Sequence, residues 1–135
     1  MQSALRTHPD INVYNYEFNH VGVDTAAWGP DYYFCWYDYV CHASELPFVF
    51  ESATVGGYYY TADEQVLSDE MVRYWGNFAH TNDPNKGPGG SPALEWPLYQ
   101  LDTMTTLNLN LTLGYIPALR QSYCDYWDTV GYFQP

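Results

Sequence analysis

The run Cys41-His42-Ala43-Ser44-Glu45-Leu46-Pro47-Phe48-Val49-Phe50 decides how this chain is read. It sets an imidazole beside a cysteine and ahead of a short acidic and apolar segment. Imidazole titrates near neutrality, so in a structured loop it can serve as a general base. In that role it needs a nucleophile within hydrogen-bond reach and a carboxylate to fix its tautomer.

No convincing nucleophile accompanies it. Gly89-Gly90-Ser91-Pro92-Ala93 has the outline of a Gly-x-Ser-x-Gly elbow. However, no strand leads into it and no helix leads out. The residue after such a serine must also offer its N–H to an oxyanion, and Pro92 has none. Ser44 stands two residues from His42 and lacks the elbow glycines. Cys41 would have to turn its thiol onto the ring of its own neighbour. Cys35, Cys41 and His42 make a poor zinc set, because the cysteine spacing is wide and a fourth ligand is not evident. There is no phosphate-cradling glycine loop either. Neither a metal nor a cofactor is expected. The other histidines read as structural. His8 and His80 sit at element ends, where a cation near a helix C-terminus is favourable, and His20 follows a strand and can hydrogen-bond a loop.

Composition narrows the partners. The chain has 135 residues and a net charge of −12, from 16 acids against four basic residues, Arg6, Arg73, Lys86 and Arg120. Such a chain repels a phosphate backbone, which excludes nucleic-acid binding, and it disfavours anionic membrane surfaces. No run approaches the ~18 apolar residues of a membrane span. Met1-Gln2-Ser3-Ala4-Leu5-Arg6 lacks the apolar core of a signal peptide. The expectation is either a cytosolic protein or a Met1 that is not the natural beginning. The cysteines favour the second. Cys35 and Cys41 close a small loop around Trp36, Tyr37, Asp38 and Tyr39. A disulfide there is feasible and worth a few kcal/mol at most. Cys124 is then left over, and an odd cysteine in an oxidised chain points to a missing partner. The alternative is three buried free thiols in a reduced compartment. Asn110-Leu111-Thr112 is a glycosylation candidate, compatible with secretion.

The expected order of elements is strand, loop, helix, strand, helix. Residues 2–8 read as the end of a helix. Ile11 to Phe18 alternates β-formers, with Tyr14, Tyr16 and Phe18 on one face. Residues 19–41 form a long aromatic loop, of a kind that is usually functional or pinned. Thr61-Ala62-Asp63-Glu64 is a capping box, and Leu67, Met71, Tyr74, Trp75 and Phe78 follow as a core-facing stripe. Residues 82–97 are turn-rich. Residues 104–113 alternate as a strand. Pro117 suits the first turn of a last helix carrying Leu119, Tyr123, Tyr126 and Trp127. Two strands and two helices are too few to cover one another, so part of the fold is expected upstream.

Four segments, in order, carry a resemblance. They are Val13-Tyr14-Asn15-Tyr16-Glu17-Phe18-Asn19-His20, the His42 run quoted above, Tyr74-Trp75-Gly76-Asn77-Phe78-Ala79-His80-Thr81-Asn82-Asp83-Pro84-Asn85, and Trp96-Pro97-Leu98-Tyr99. Cys124-Asp125-Tyr126-Trp127 adds a Cys-x-x-Trp near the end. Together they resemble the C-terminal part of type-B carboxylesterases, the cholinesterase-like branch of the α/β-hydrolase fold. The resemblance implies an α/β fragment: the last sheet strands, the histidine loop and the C-terminal helices. On this reading residues 1–135 are the C-terminal part of the domain.

The same resemblance makes His42 the catalytic histidine of a serine esterase acting on a small-molecule ester. In the family's chain order the serine, the acid and the oxyanion loop precede the histidine, so all three would lie upstream and the isolated chain is expected to be inactive. It also implies that Cys35 and Cys41 pair, that Cys124 pairs with a cysteine upstream, and that the parent is secreted or extracellular. Glu45 matches a recurrent family acid and is read as supporting the site from behind or as structural, since the triad acid comes from elsewhere. One departure stands out. The family usually has Gly after the histidine and this chain has Ala43, which disfavours a positive φ. The alternative parent is a non-catalytic adhesion relative of the same fold, and an upstream Gly-x-Ser-x-Gly would separate the two. A standalone binding module fits poorly with the incomplete inventory.

Overall fold

The structure, a computed structural model, describes residues 11–22, 35 and 39–131. Among them the order is β1 (Tyr16–Phe18), α1 (Leu46–Phe50), a 3-10 turn (Ala53–Gly56), α2 (Ala62–Thr81), β2 (Thr105–Leu109), β3 (Gly114–Pro117) and α3 (Gln121–Val130). The helix end expected at residues 2–8 and much of the 19–41 loop lie outside the described residues.

α2 begins as its sequence dictates. The Glu64 amide donates to Thr61 Oγ1 and the Thr61 amide donates to Glu64 Oε2, at 3.3 and 2.8 Å. Two of the free amides at the helix start are satisfied reciprocally. The helix ends at Asn82, which is left-handed (φ 61°) and donates its N–H to the Phe78 carbonyl. Leu67, Met71 and Tyr74 face inward as expected. Phe78 does not, being 41% exposed, and Asn77 takes the inward place.

The reason is the number of hydrogen bonds Asn77 makes. Its Nδ2 donates to the carbonyls of Pro84 (3.1 Å) and Gly90 (2.9 Å), and its Oδ1 accepts from the Gly89 amide (2.9 Å). A buried amide so fully paired carries little desolvation cost, and it ties the 84–90 loop to the helix. Phe78 instead meets Tyr14 edge-on at 5.9 Å. Trp75 is half-buried between Tyr16 (5.1 Å) and Trp96 (5.3 Å).

The sheet order is β1-β2-β3. β1 and β2 are parallel, with Tyr16 opposite Leu107 and Phe18 opposite Leu109. Parallel strands need a crossover, and the intervening chain with α1 and α2 supplies it. Tyr16, Phe18, Leu107 and Leu109 share the face that packs on Phe48, Met71, Tyr74 and Trp96. Full burial of each large apolar side chain contributes roughly 1.5–3 kcal/mol. The opposite face is polar and cross-linked. Asn15 Nδ2 donates to Thr106 Oγ1 (2.8 Å), Asn19 Nδ2 to Asn108 Oδ1 (2.7 Å) and Asn110 Nδ2 to the Asn19 carbonyl (3.1 Å).

Three expectations need correction. The strand expected over residues 11–18 is confined to Tyr16–Phe18. Earlier residues make isolated bonds, such as the Val13 carbonyl accepting from the Tyr99 amide at 2.8 Å. The strand expected over 104–113 is confined to Thr105–Leu109, because the chain reverses after Leu109 and returns antiparallel as β3 (Gly114–Pro117). Asn110 Oδ1 accepts from the Leu111 amide at 2.8 Å, a local bond that competes with the ladder and favours the reversal. Pro117 does not open the last helix. It closes β3, opposite Thr105, in a margin strand of the described sheet where a missing N–H is tolerated. α3 starts later, at Gln121, after left-handed Ala118 and Arg120. No residue of α3 is buried, and Tyr123, Tyr126, Trp127 and Val130 stand exposed along it.

Candidate active site

His42 is carried on a tight turn. The Ser44 amide donates to the Cys41 carbonyl at 3.1 Å, and the Cys41 amide donates to Ser44 Oγ at 3.1 Å. Ser44 is buried, whereas His42 is exposed. Within the four residues Cys41–Ser44, Ala43 is third and has φ 68°. A positive φ at this place is what a type II turn requires, and it is a place that glycine fills without strain. The alanine therefore sits in the backbone conformation that its Cβ disfavours, and the turn is held despite it.

Two ties hold the turn from outside. Cys35 and Cys41 are joined by a disulfide, with Cα atoms 5.7 Å apart and Cys35 fully buried. On the other side the turn runs straight into α1. The Leu46 amide donates to the Ala43 carbonyl (3.2 Å) and the Val49 amide to the Glu45 carbonyl (3.0 Å). Pro47 occupies the first turn of α1, where its missing N–H costs nothing. Sequence reading passed over this five-residue helix, although Pro47 ahead of Phe48-Val49-Phe50 was an available signal. Phe48 anchors α1 in the core, 5.3 Å from Phe18 on β1.

Glu45 is half-buried at the start of α1. Burial and, after it, the negative charge of Glu45 push the Tyr16 hydroxyl above its ordinary range. His20, read as a loop hydrogen-bonding residue, instead donates its Nε2–H to Glu64 Oε1 at 2.9 Å. Glu64 is nearly fully buried. Its capping function was readable, and its bond to His20 was not.

The remaining sites lie apart. Asn110 is half-buried at the β2–β3 reversal, with Nδ2 engaged by the Asn19 carbonyl. Cys124 is a free, exposed thiol on α3. Ser91 is exposed in the turn-rich loop, flanked by neither strand nor helix. Among the described residues no group of three or more His, Cys, Asp or Glu is placed to hold a metal ion, and no helix is long and apolar enough to cross a membrane.

The fold of the chain recurs in solved structures. The chain aligns with a carboxylesterase of Geobacillus stearothermophilus at a TM-score of 0.60 and 22% identity, over 86% of this chain and 22% of that one. A PNB esterase aligns at 0.57 and 24% identity, over 84% and 21%. The fold is a piece of an α/β-hydrolase. The Carboxylesterase family model matches residues 1–127, and the chain belongs to that family. It is 40% identical over 91 residues to the acetylcholinesterase of Gallus gallus, covering 65% of this chain and 11% of that protein. It is 39% identical over 88 residues to the cocaine esterase of Homo sapiens, covering 64% and 15%. The matched stretch is thus a small part of each relative.

Proposed function

We propose that this chain supplies the general base, His42, to a serine carboxylesterase whose nucleophile, acid and oxyanion donors lie upstream. The observation that carries the reading is the presentation of His42. An exposed imidazole stands on a turn fixed by a disulfide, by reciprocal Cys41–Ser44 hydrogen bonds and by a helix rooted in the core. A general base benefits from this combination, because proton transfer needs a reachable ring held in one place.

In the proposed reaction His42 takes the proton of the serine hydroxyl as the oxygen attacks the ester carbonyl. It then gives that proton to the departing alcohol, leaving an acyl-enzyme. In the second half His42 takes a proton from water, whose oxygen attacks the acyl carbon. The carboxylic acid leaves as the proton returns to the serine. The secreted setting, the glycan on Asn110 and the upstream pairing of Cys124 belong to the same reading.

The test is turnover of a p-nitrophenyl ester. The 135 residues expressed alone are expected to give none, and in the full-length parent His42→Ala is expected to remove turnover by several orders of magnitude. Turnover by the chain alone that His42→Ala abolishes would show that the nucleophile is here after all. Undiminished turnover by the full-length variant would show that another group is the base.

A further inference from the structure

Resting on the assignment of His42 as the base, we propose that His20 and Glu64 form a positioning bracket that holds the His42 turn through Phe48. His20 and Glu64 side chains are 11% and 4% exposed. The Glu64 carboxylate accepts from the Thr61 amide (2.8 Å) and hydroxyl (2.9 Å) through Oε2, and from His20 Nε2 (2.9 Å) through Oε1. A carboxylate acting as acceptor requires Nε2 to carry a hydrogen, which fixes the His20 ring. The ring then meets Phe48 edge-on, with centroids 5.6 Å apart and planes at 88°. From α2, Ser68 Oγ donates to the Phe48 carbonyl at 2.8 Å. Phe48 is fully buried and is gripped from the end of β1 and from α2 together.

Phe48 lies six residues after His42, and the Ala43 and Glu45 carbonyls bind the turn to α1. The turn and α1 therefore move as one piece. A shift of Phe48 displaces the imidazole, and about 1 Å of misplacement can cost on the order of a hundredfold in rate. The hydrogen bond and ring contacts of His20 go to Glu64, Phe48 and Phe18, and Phe18 itself packs on Phe48. His20 acts through Phe48 and is a positioning residue.

The test uses the full-length parent and a p-nitrophenyl ester. His20→Leu is expected to lower kcat about ten- to a hundredfold, with KM changed less than about twofold. His20→Gln, which keeps an amide donor for Glu64, is expected to recover most of that loss. Unchanged kcat in folded His20→Leu, or a glutamine variant no better than the leucine, overturns the bracket. Should His20→Leu not fold, Ser68→Ala decides, since it cuts the other grip on Phe48. A lower kcat at constant KM supports the bracket and an unchanged kcat overturns it. Asn85→Ala controls for simple loss of stability, because it loosens the loop at Trp96. An equal fall in kcat there at equal loss of Tm also overturns the proposal. His42→Ala separates the two claims. If it abolishes turnover while His20→Leu does not, only the bracket fails. If it leaves turnover intact, the base assignment fails and takes the bracket with it.

Discussion

Cys41 and Ser44 are tied twice across the His42 turn, amide to carbonyl and amide to hydroxyl, each at 3.1 Å. The hydroxyl tie is the one a side-chain change can remove. Ser44→Ala leaves the half-buried Cys41 amide without that acceptor, at a cost of about 1–2 kcal/mol. A lower Tm together with a several-fold lower kcat in the full-length parent is the expected pair of results. A normal kcat at a lowered Tm would mean that the turn holds its shape without the hydroxyl.

Ala43 offers the opposite change. A left-handed alanine is strained by roughly 1–2 kcal/mol, while glycine loses about 0.4–1 kcal/mol through its freer unfolded chain. Ala43→Gly at φ 68° is therefore expected to stabilise by about 0.5–1 kcal/mol. Urea denaturation measures it, and a destabilised glycine variant would contradict the strain.

Thiol counting tests the disulfide. Of the three cysteines, Cys35 and Cys41 are joined and Cys124 is free and exposed. The denatured but unreduced chain should react with one equivalent of a thiol reagent, and with three after reduction. In the full-length parent the signal from Cys124 should vanish until reduction, if its partner lies upstream. Replacing both loop cysteines by serine should cost about 2 kcal/mol for so short a loop.

Acid should weaken the turn after α2. The Asn85 amide, donating to Asp83 Oδ1 at 2.9 Å, holds the Asp83 carboxyl below its ordinary 3.8, outweighing the opposing effect of burial and helped by Lys86. A depressed folded value means stability that is present above 3.8 and lost as pH falls through the lower, folded value. Asp83→Asn should flatten the stability–pH curve in that acid window and leave its slope near neutrality unchanged. An identical acid slope in both proteins would remove Asp83 from the account.

Asn77 should be intolerant of change, and so should its neighbour in space. A Cβ on Gly87 would stand 2.6 Å from Asn77 Oδ1 and 2.9 Å from Asn77 Cα. The second contact is backbone and cannot swing away, so Gly87→Ala is expected to cost at least about 1–3 kcal/mol. Asn77→Ala, which orphans the Gly89 amide and the Pro84 and Gly90 carbonyls, should cost about 3 kcal/mol. Equilibrium unfolding of either variant at wild-type stability would be the contrary result.

Much of this could be read before any coordinates. The capping box at Thr61 and the Leu67–Met71–Tyr74 spacing located α2 because both are local in sequence. The four ordered segments indicated the α/β fragment and put the histidine turn between a strand and a helix. What could not be read was decided at long range. Asn77 displaced Phe78 from the interior because a loop seven to thirteen residues away completed its hydrogen bonds. Leucine alternation ran on past Leu109, but the chain turned at Asn110, where a side chain outcompeted the ladder. His20 found Glu64 across 44 residues, a distance at which spacing carries no information.

The parallel pairing of β1 with β2 has a consequence for synthesis. Tyr16 waits for Leu107, 91 positions later. At about 5–20 residues per second the nascent strand waits on the order of 5–20 s before the margin that pairs with β2 is covered. Over that interval the unpaired margin is open to pairing with another chain.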